Sequence, residues 1–419
     1  MGGAFKDNPI KNVLGIMVKA IGFFLLPIVI LALIAFIYGW ISRGLFITTE
    51  DIKYPQPENF RVILPRDYAA HPDFKTEWWY YTGHLESDDG RRFGFELVFF
   101  HIRTLGVWYK HQPLWWFFKT HLTAAQLAIL DKTTGQHTVM ERRAKNSKSN
   151  VGADVNNLRV WVYDWSAEGG PDAKGRFVTH LKAQDSRYSL DLNLIPAKPA
   201  VLHGQNGLLD KRPNGAASNY ISFTRLFASG TLTENGKPLA VKGQAWHDHE
   251  YSSGRPGPQT AGWDWFSIQL GRTAEPHPDA KSSSASKHPL DGAELMFYFV
   301  RSVQGGVMDG SKATLVRPDG TSQPLSFGKD FQYRSGTSGA WKSLKTGALY
   351  PLGWTIAIPS QGWKIEIKPS AQAQEVVGQS IDVNYWEGAC EVAAYAPEGM
   401  LPGLAYVELT GYDRRVDKF

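Results

Sequence analysis

From about residue 60 onward the apolar positions fall in short runs of five to nine residues, and no long stretch with helical spacing stands among them. "RFGFELVFFHIR", "LRVWVYDWS", "AELMFYFVRS", "WTIAIP" and "WKIEIKP" are examples. Gly, Asp, Asn and Pro separate the runs, and the turn-forming pairs Asp89-Gly90, Asn206-Gly207, Asn235-Gly236 and Asp319-Gly320 lie between several of them. Short β-prone runs punctuated by such pairs predict an antiparallel all-β sandwich or barrel. The polar stretch from Arg272 to Gly292 reads as a surface loop.

Ahead of residue 60 the pattern is different. Ala20 to Ser42 carries no charge over 23 residues, long enough to cross a bilayer. Lys6, Lys11 and Lys19 precede it and Arg43 follows, a bias that keeps the N-terminus in the cytoplasm. The apolar core exceeds that of a cleavable signal peptide, and no small-x-small site follows. The expectation is a cytoplasmic segment 1–19, a transmembrane anchor 20–42 and a linker 43–59, stiffened by "YPQPENF". The remainder would lie in the periplasm, tethered to the inner membrane by a single pass.

An internal repeat runs through the β region. Glu77 to Leu85, "EWWYYTGHL", sets against Gly262 to Leu270, "GWDWFSIQL", with Trp78 on Trp263, Tyr80 on Trp265, Tyr81 on Phe266 and Leu85 on Leu270. A second match follows in both copies: "GFELVFF" (Gly94 to Phe100) on "GAELMFYF" (Gly292 to Phe299), Glu96 on Glu294. Two matches in order predict two copies of one β domain, 60–236 and 237–419, divided at "NGKPLA". In a strand, Trp79 and Tyr81 share one face with Glu77, while Trp78 and Tyr80 share the other with His84. Aromatic residues on both faces require both to be covered, as for a barrel wall backed by a second barrel. A single large sandwich is the alternative.

Composition narrows the function classes. Fifteen Trp in 419 residues is more than a core alone calls for, and suits an aromatic-lined ligand site. The net charge of +5 is mild and no Lys/Arg block occurs, so no nucleic-acid partner is expected. One cysteine, Cys390, excludes an intrachain disulfide and a multi-Cys metal site. There is no G-x-S-x-G elbow, H-E-x-x-H, P-loop or G-x-G-x-x-G.

Four stretches, "HPDFKTEWWYYTGHL" (71–85), "WHDHEYSS" (246–253), "GWDWFSIQL" (262–270) and "YWEGAC…GLAYVELTGY" (385–412), resemble the AttH-type lipocalin-like family, which includes the CrtC-type carotenoid 1,2-hydratases. The resemblance covers residues 60–419 in the family's order. It implies two lipocalin-like antiparallel β-barrels, in agreement with the repeat. Activities within the family range from hydratases and pericyclase-like enzymes to proteins tied to ABC exporters.

Candidate chemistry centres on two motifs. In "WHDHEYSSG", His247 and His249 point one way and Trp246, Asp248 and Glu250 the other. An H-x-H pair can ligate metal, but the next carboxylate faces away, so no metal is expected. In "GWDWF", Asp264 stands where the first copy has Trp79. A carboxyl buried among Trp263, Trp265 and Phe266 would have a raised pKa and could protonate an alkene. Aromatic faces would stabilise the carbocation, water would capture it, and no cofactor is needed. The expected site is Asp264, Asp248 and His247 for catalysis, with Trp246, Trp263, Trp265, Trp79 and Tyr81 holding a hydrophobic isoprenoid, polyene or lipid. Glu96 and Glu294 read as fold pins, and Glu77 as an ion-pair partner for Arg or Lys of the other barrel. The alternative function is a non-enzymatic lipid carrier or accessory protein of an ABC exporter.

Overall fold

The computed structural model describes residues 28–34, 36–37, 54–103, 108–109, 112–113, 121–144, 150–173, 175–271, 288–378, 381 and 383–416. By internal contact the chain forms two units, one of residues 1–53 and 105–120, the other of 54–104 and 121–419. In the first, residues 28–34 and 36–37 are helical, and Trp108–Tyr109 pairs with Gln112–Pro113. Among the described residues no helix is long and apolar enough to cross a membrane. Most of the expected anchor at 20–42, like the loop residues 272–287, lies outside the described residues.

The second unit is nearly all β, with two curled antiparallel half-barrel sheets of 13 and 10 strands and a small two-stranded sheet among the described residues. Eight strands frame the space between the sheets: β1 (Thr76–Ser87), β2 (Arg92–Arg103), β3 (Ser218–Glu234), β4 (Lys237–Ser252), β5 (Thr260–Leu270), β6 (Glu294–Ser302), β7 (Asn384–Ala396) and β8 (Gly399–Thr410). In the first sheet the order is Gln136–Arg143, His121–Asp131, β2, β1, β4, β3, Tyr188–Pro196 and on to Val151–Ala153. In the second it is Ser322–Ser326, Lys312–Val316, β6, β5, β8, β7, Trp363–Pro369, Trp354–Ile358 and Gln332–Ser335. Both sheets follow one scheme: the opening strand pairs with its own hairpin partner on one side and with the sheet's last strand on the other.

Sheet membership changes between Ser252 and Thr260, not at 236/237. Lys237–Ser252 follows the Asn235-Gly236 turn and is hydrogen-bonded to both β1 and β3. That turn is the hairpin inside the first copy and not a linker between copies.

Period-two alternation explains the two-sided aromatic strand. Trp79, Tyr81 and Leu85 of β1, with Phe93, Phe95, Leu97 and Phe99 of β2, fill the hollow of the first sheet. Phe266, Ile268, Phe297, Phe299, Trp354 and Trp386 fill that of the second. The opposite faces meet: Tyr80, Val98, Tyr220 and Trp246 of the first sheet pack on Trp265, Met296, Ala389 and Tyr406 of the second. Within this seam a Cβ on Gly94 would come within 2.6 Å of the Ala389 Cβ.

The register shifts one part of the repeat. Trp78 lies across from Phe100, and Trp263 from Val300. Glu96 therefore corresponds to Met296, and Glu294 to Gly94, two residues from the alignment that the Glu-Leu pairs suggest. Glu294 does pin the fold. Lys198 reaches it at 2.7 Å and Arg225 at 2.5 Å, with both carboxylate and guanidinium buried. A bulge between Phe223 and Leu226 turns Thr224 and Arg225 toward the second sheet, where both bond Glu294.

Candidate functional site: a cleft between the sheets

Where the facing sheets diverge they leave a cleft of about 1070 Å³, solvent at its mouth included. Its aromatic walls are Trp78, Tyr80 and Phe100 from the first sheet and Trp263, Trp265 and Tyr298 from the second. All sit on the faces that alternation directs away from the hollows. The hollows are filled with large side chains, Trp79 and Trp165 in one and Trp354 and Trp386 in the other.

Four carboxyl groups line this apolar space: Glu96, Asp248, Glu250 and Glu408. Glu250 is ion-paired to Lys211 at 2.6 Å, and the Lys211 ammonium lies 4.4 Å from the Tyr298 ring centre. The other three have no ion-pair partner among the described residues, and burial dominates them. Asp248 is pushed up to about 7 despite accepting from Tyr220, Ser222 and Trp246. Glu408 is pushed up to about 7 although the Trp263 indole donates to it at 3.0 Å and Thr410 also bonds it. Glu96 is pushed up to about 8. Its Oε1 lies 3.1 Å from the Tyr385 hydroxyl, and its Oε2 is buried without a partner. At neutral pH Glu96 is thus mainly the neutral acid.

The cluster is arranged reciprocally. Tyr80 of the first sheet donates to Glu387 of the second at 2.6 Å, while Tyr385 of the second meets Glu96 of the first. Burial and the neighbouring Glu96 and Glu408 push Glu387 well up too. Asp248 and Glu408 hold matching register positions, opposite Tyr80 in β1 and opposite Trp265 in β5. Both closing strands therefore bring an acid to the cleft at the same step.

The residues expected from sequence divide by face. Trp263, Trp265 and Asp248 line the cleft, and Trp246 packs beside it and donates to Asp248 at 2.6 Å. Trp79 and Tyr81 point into the first hollow. His247 is there too, stacked on Tyr81 at 4.1 Å, and burial lowers its pKa to about 3. Asp264 turns away from the cleft into the second sheet. It is held by Arg301 at 2.7 Å, Tyr333 at 2.7 Å and Tyr412 at 3.1 Å. Burial raises its pKa, but the strand places it one residue out of phase with Trp263 and Trp265. Glu77 meets His249 of its own sheet and His71 of the segment before β1, not a cation of the other sheet.

Sequence reasoning passes over Glu96, Glu408 and Lys211 as site residues. A signal for Glu96 exists: it is a lone carboxylate inside "GFELVFF", in phase with Trp78 and Tyr80 across the ladder. Glu408 shows only once β4 and β8 are matched by register.

The AttH-like family model matches residues 55–275 and 286–412. A crystal structure of an AttH-assigned protein from Nitrosomonas europaea superposes with a TM-score of 0.70 at 27% identity, covering 86% of this chain and 99% of that one. Kievitone hydratase from Nectria haematococca superposes with a TM-score of 0.61 at 13% identity, covering 87% and 97%, a likeness of fold. No curated protein matches the sequence. On the span of the family match, the chain is a member of the AttH-like family.

Proposed function

We propose that the chain binds a hydrophobic alkene, an isoprenoid or polyene, in the cleft between its sheets and adds water to it by acid catalysis. The observation that carries this reading is Glu96: a carboxyl buried in an aromatic cleft, where burial favours its neutral form, with one oxygen that meets no partner. Glu96 gives its proton to one alkene carbon. The cation formed on the other carbon sits among the faces of Trp78, Trp263 and Tyr298. Water attacks that carbon, and Glu408 on the facing wall takes the released proton, so the acid and base act from opposite sheets. Tyr385 and Trp263 hold the two carboxyls in place. The fold shared with a hydratase from Nectria haematococca supports the reaction class. Anchoring in the inner membrane by residues 20–42, with the sheets in the periplasm, belongs to the same reading and rests on that uncharged stretch.

The test begins with what the purified protein carries. Solvent extraction and mass spectrometry identify a bound lipophile, which is then incubated with the protein in ¹⁸O-labelled water. The expected product is heavier by one labelled water, and Glu96→Gln retains the ligand but forms no product. A ligand recovered unchanged, at the same level from both proteins, would leave a carrier in place of an enzyme.

A further inference from the structure

On the other face of the first sheet, away from the cleft, three side chains converge. His71 precedes β1, Glu77 is its second residue, and His249 is the cross-strand neighbour of Trp79 in β4. His71 Nδ1 lies 3.0 Å and His249 Nε2 2.7 Å from the same oxygen, Glu77 Oε1. The potential donor atoms all fall within 4.8 Å of one another. Zinc-class ions sit roughly 2.0–2.2 Å from nitrogen and carboxylate oxygen, so tetrahedral ligands stand about 3.3 Å apart. The observed spacing needs only a small opening to admit an ion.

We propose that His71, Glu77 and His249 bind one first-row divalent transition-metal ion of the zinc class. Two further observations point the same way. Asp67 Oδ1 lies 3.3 Å from His71 Nε2 and is itself held by Arg66, the outer carboxylate that commonly orients a ligating imidazole. The Tyr251 ring stacks on His71 at 3.8 Å, and its hydroxyl is buried without a partner. Buried polar groups ordinarily find partners, and a water completing the metal's coordination would supply one. The donor set of two imidazoles and one carboxylate, with no thiolate, favours zinc, cobalt or nickel over copper(I) or calcium. The role is one of position. Glu77 lies between the cleft residues Thr76 and Trp78, and His249 between Asp248 and Glu250. An ion here ties the segment before β1 to the strands whose opposite face forms the cleft wall.

Untagged full-length protein, stripped with chelator and shown folded by circular dichroism, is titrated with Zn²⁺ and with Co²⁺. One equivalent of either is expected to bind, with the visible absorption of low-coordinate cobalt and a rise in the unfolding temperature. Glu77→Gln abolishes binding, whereas His180→Gln, at a partly exposed histidine far along the first sheet, leaves it intact. Asp67→Asn keeps all three ligands and weakens affinity roughly ten- to a hundredfold. It carries the test if Glu77→Gln does not fold. A folded, stripped protein that takes up neither ion, or uptake unchanged in both Glu77→Gln and Asp67→Asn, would leave the cluster a network of protons alone and overturn the proposal.

Discussion

Glu96, Asp248 and Glu408 hold protons more tightly in the folded protein than in the unfolded chain. Their pKa values are pushed up to about 8, 7 and 7 from ordinary values of 4.5, 3.8 and 4.5, chiefly by burial. Stability from these groups is therefore fully present in acid and lost as pH climbs through the folded values. The denaturant midpoint should fall between about pH 5 and pH 8. Glu96→Gln, which is never charged, should flatten that fall and be the more stable protein at pH 8; a midpoint with the same pH slope in both would show that Glu96 is not buried as an acid. Trp263, Trp265 and Asp248 are legible as cleft residues because aromatic runs with an acid are conspicuous. Asp264 misleads for the same reason. Its neighbours are cleft residues, but a strand sends adjacent side chains to opposite faces, and nothing in "GWDWF" says which face is the cleft.

At the scale of the strand, the repeat is readable and its register is not. The aromatic strand announces itself through Trp78 and Trp263, but Glu-Leu is a two-residue coincidence that ladder pairing overrules. Pairing places Gly94 where the second sheet has Glu294, and at this glycine the two sheets pack closely. A Cβ there would meet Ala389 at 2.6 Å and the Tyr406 hydroxyl at 3.2 Å. Gly94→Val should wedge the sheets apart and cost about 1–3 kcal/mol, read as a lowered urea midpoint. An unchanged midpoint would mean that the facing sheets yield without strain. The division of the copies is misplaced for a related reason: Asn235-Gly236 is a strong hairpin signal, and hairpin turns and domain joints look alike in sequence.

For the whole molecule, the sheets are joined by buried polar contacts as well as by packing. Arg225 donates to Glu294 and to the backbone oxygens of Leu270 and Ala293 of the second sheet, and also holds Gln244 of its own. Arg225→Met leaves Glu294 with Lys198 and Thr224 but strips its buried guanidinium partner. Breaking one side of such a pair costs about 3–5 kcal/mol. The variant should unfold at lower denaturant, and ligand affinity should drop with it, because the cleft exists only while the sheets face each other. Equal stability would show that Lys198 alone suffices. No sequence pattern pairs residues 225 and 294, because the contact depends on a bulge and on how two separately formed sheets meet.

The placement of Trp78, Trp263 and Trp265 around one space also makes the molecule its own spectrometer. A conjugated polyene absorbing where indoles emit would collect their excitation, so its arrival would dim the tryptophan emission, whereas a saturated lipid would leave the indoles bright and merely shift their colour by drying the cleft. The protein's fluorescence, with no label attached, can thus distinguish the two classes of occupant.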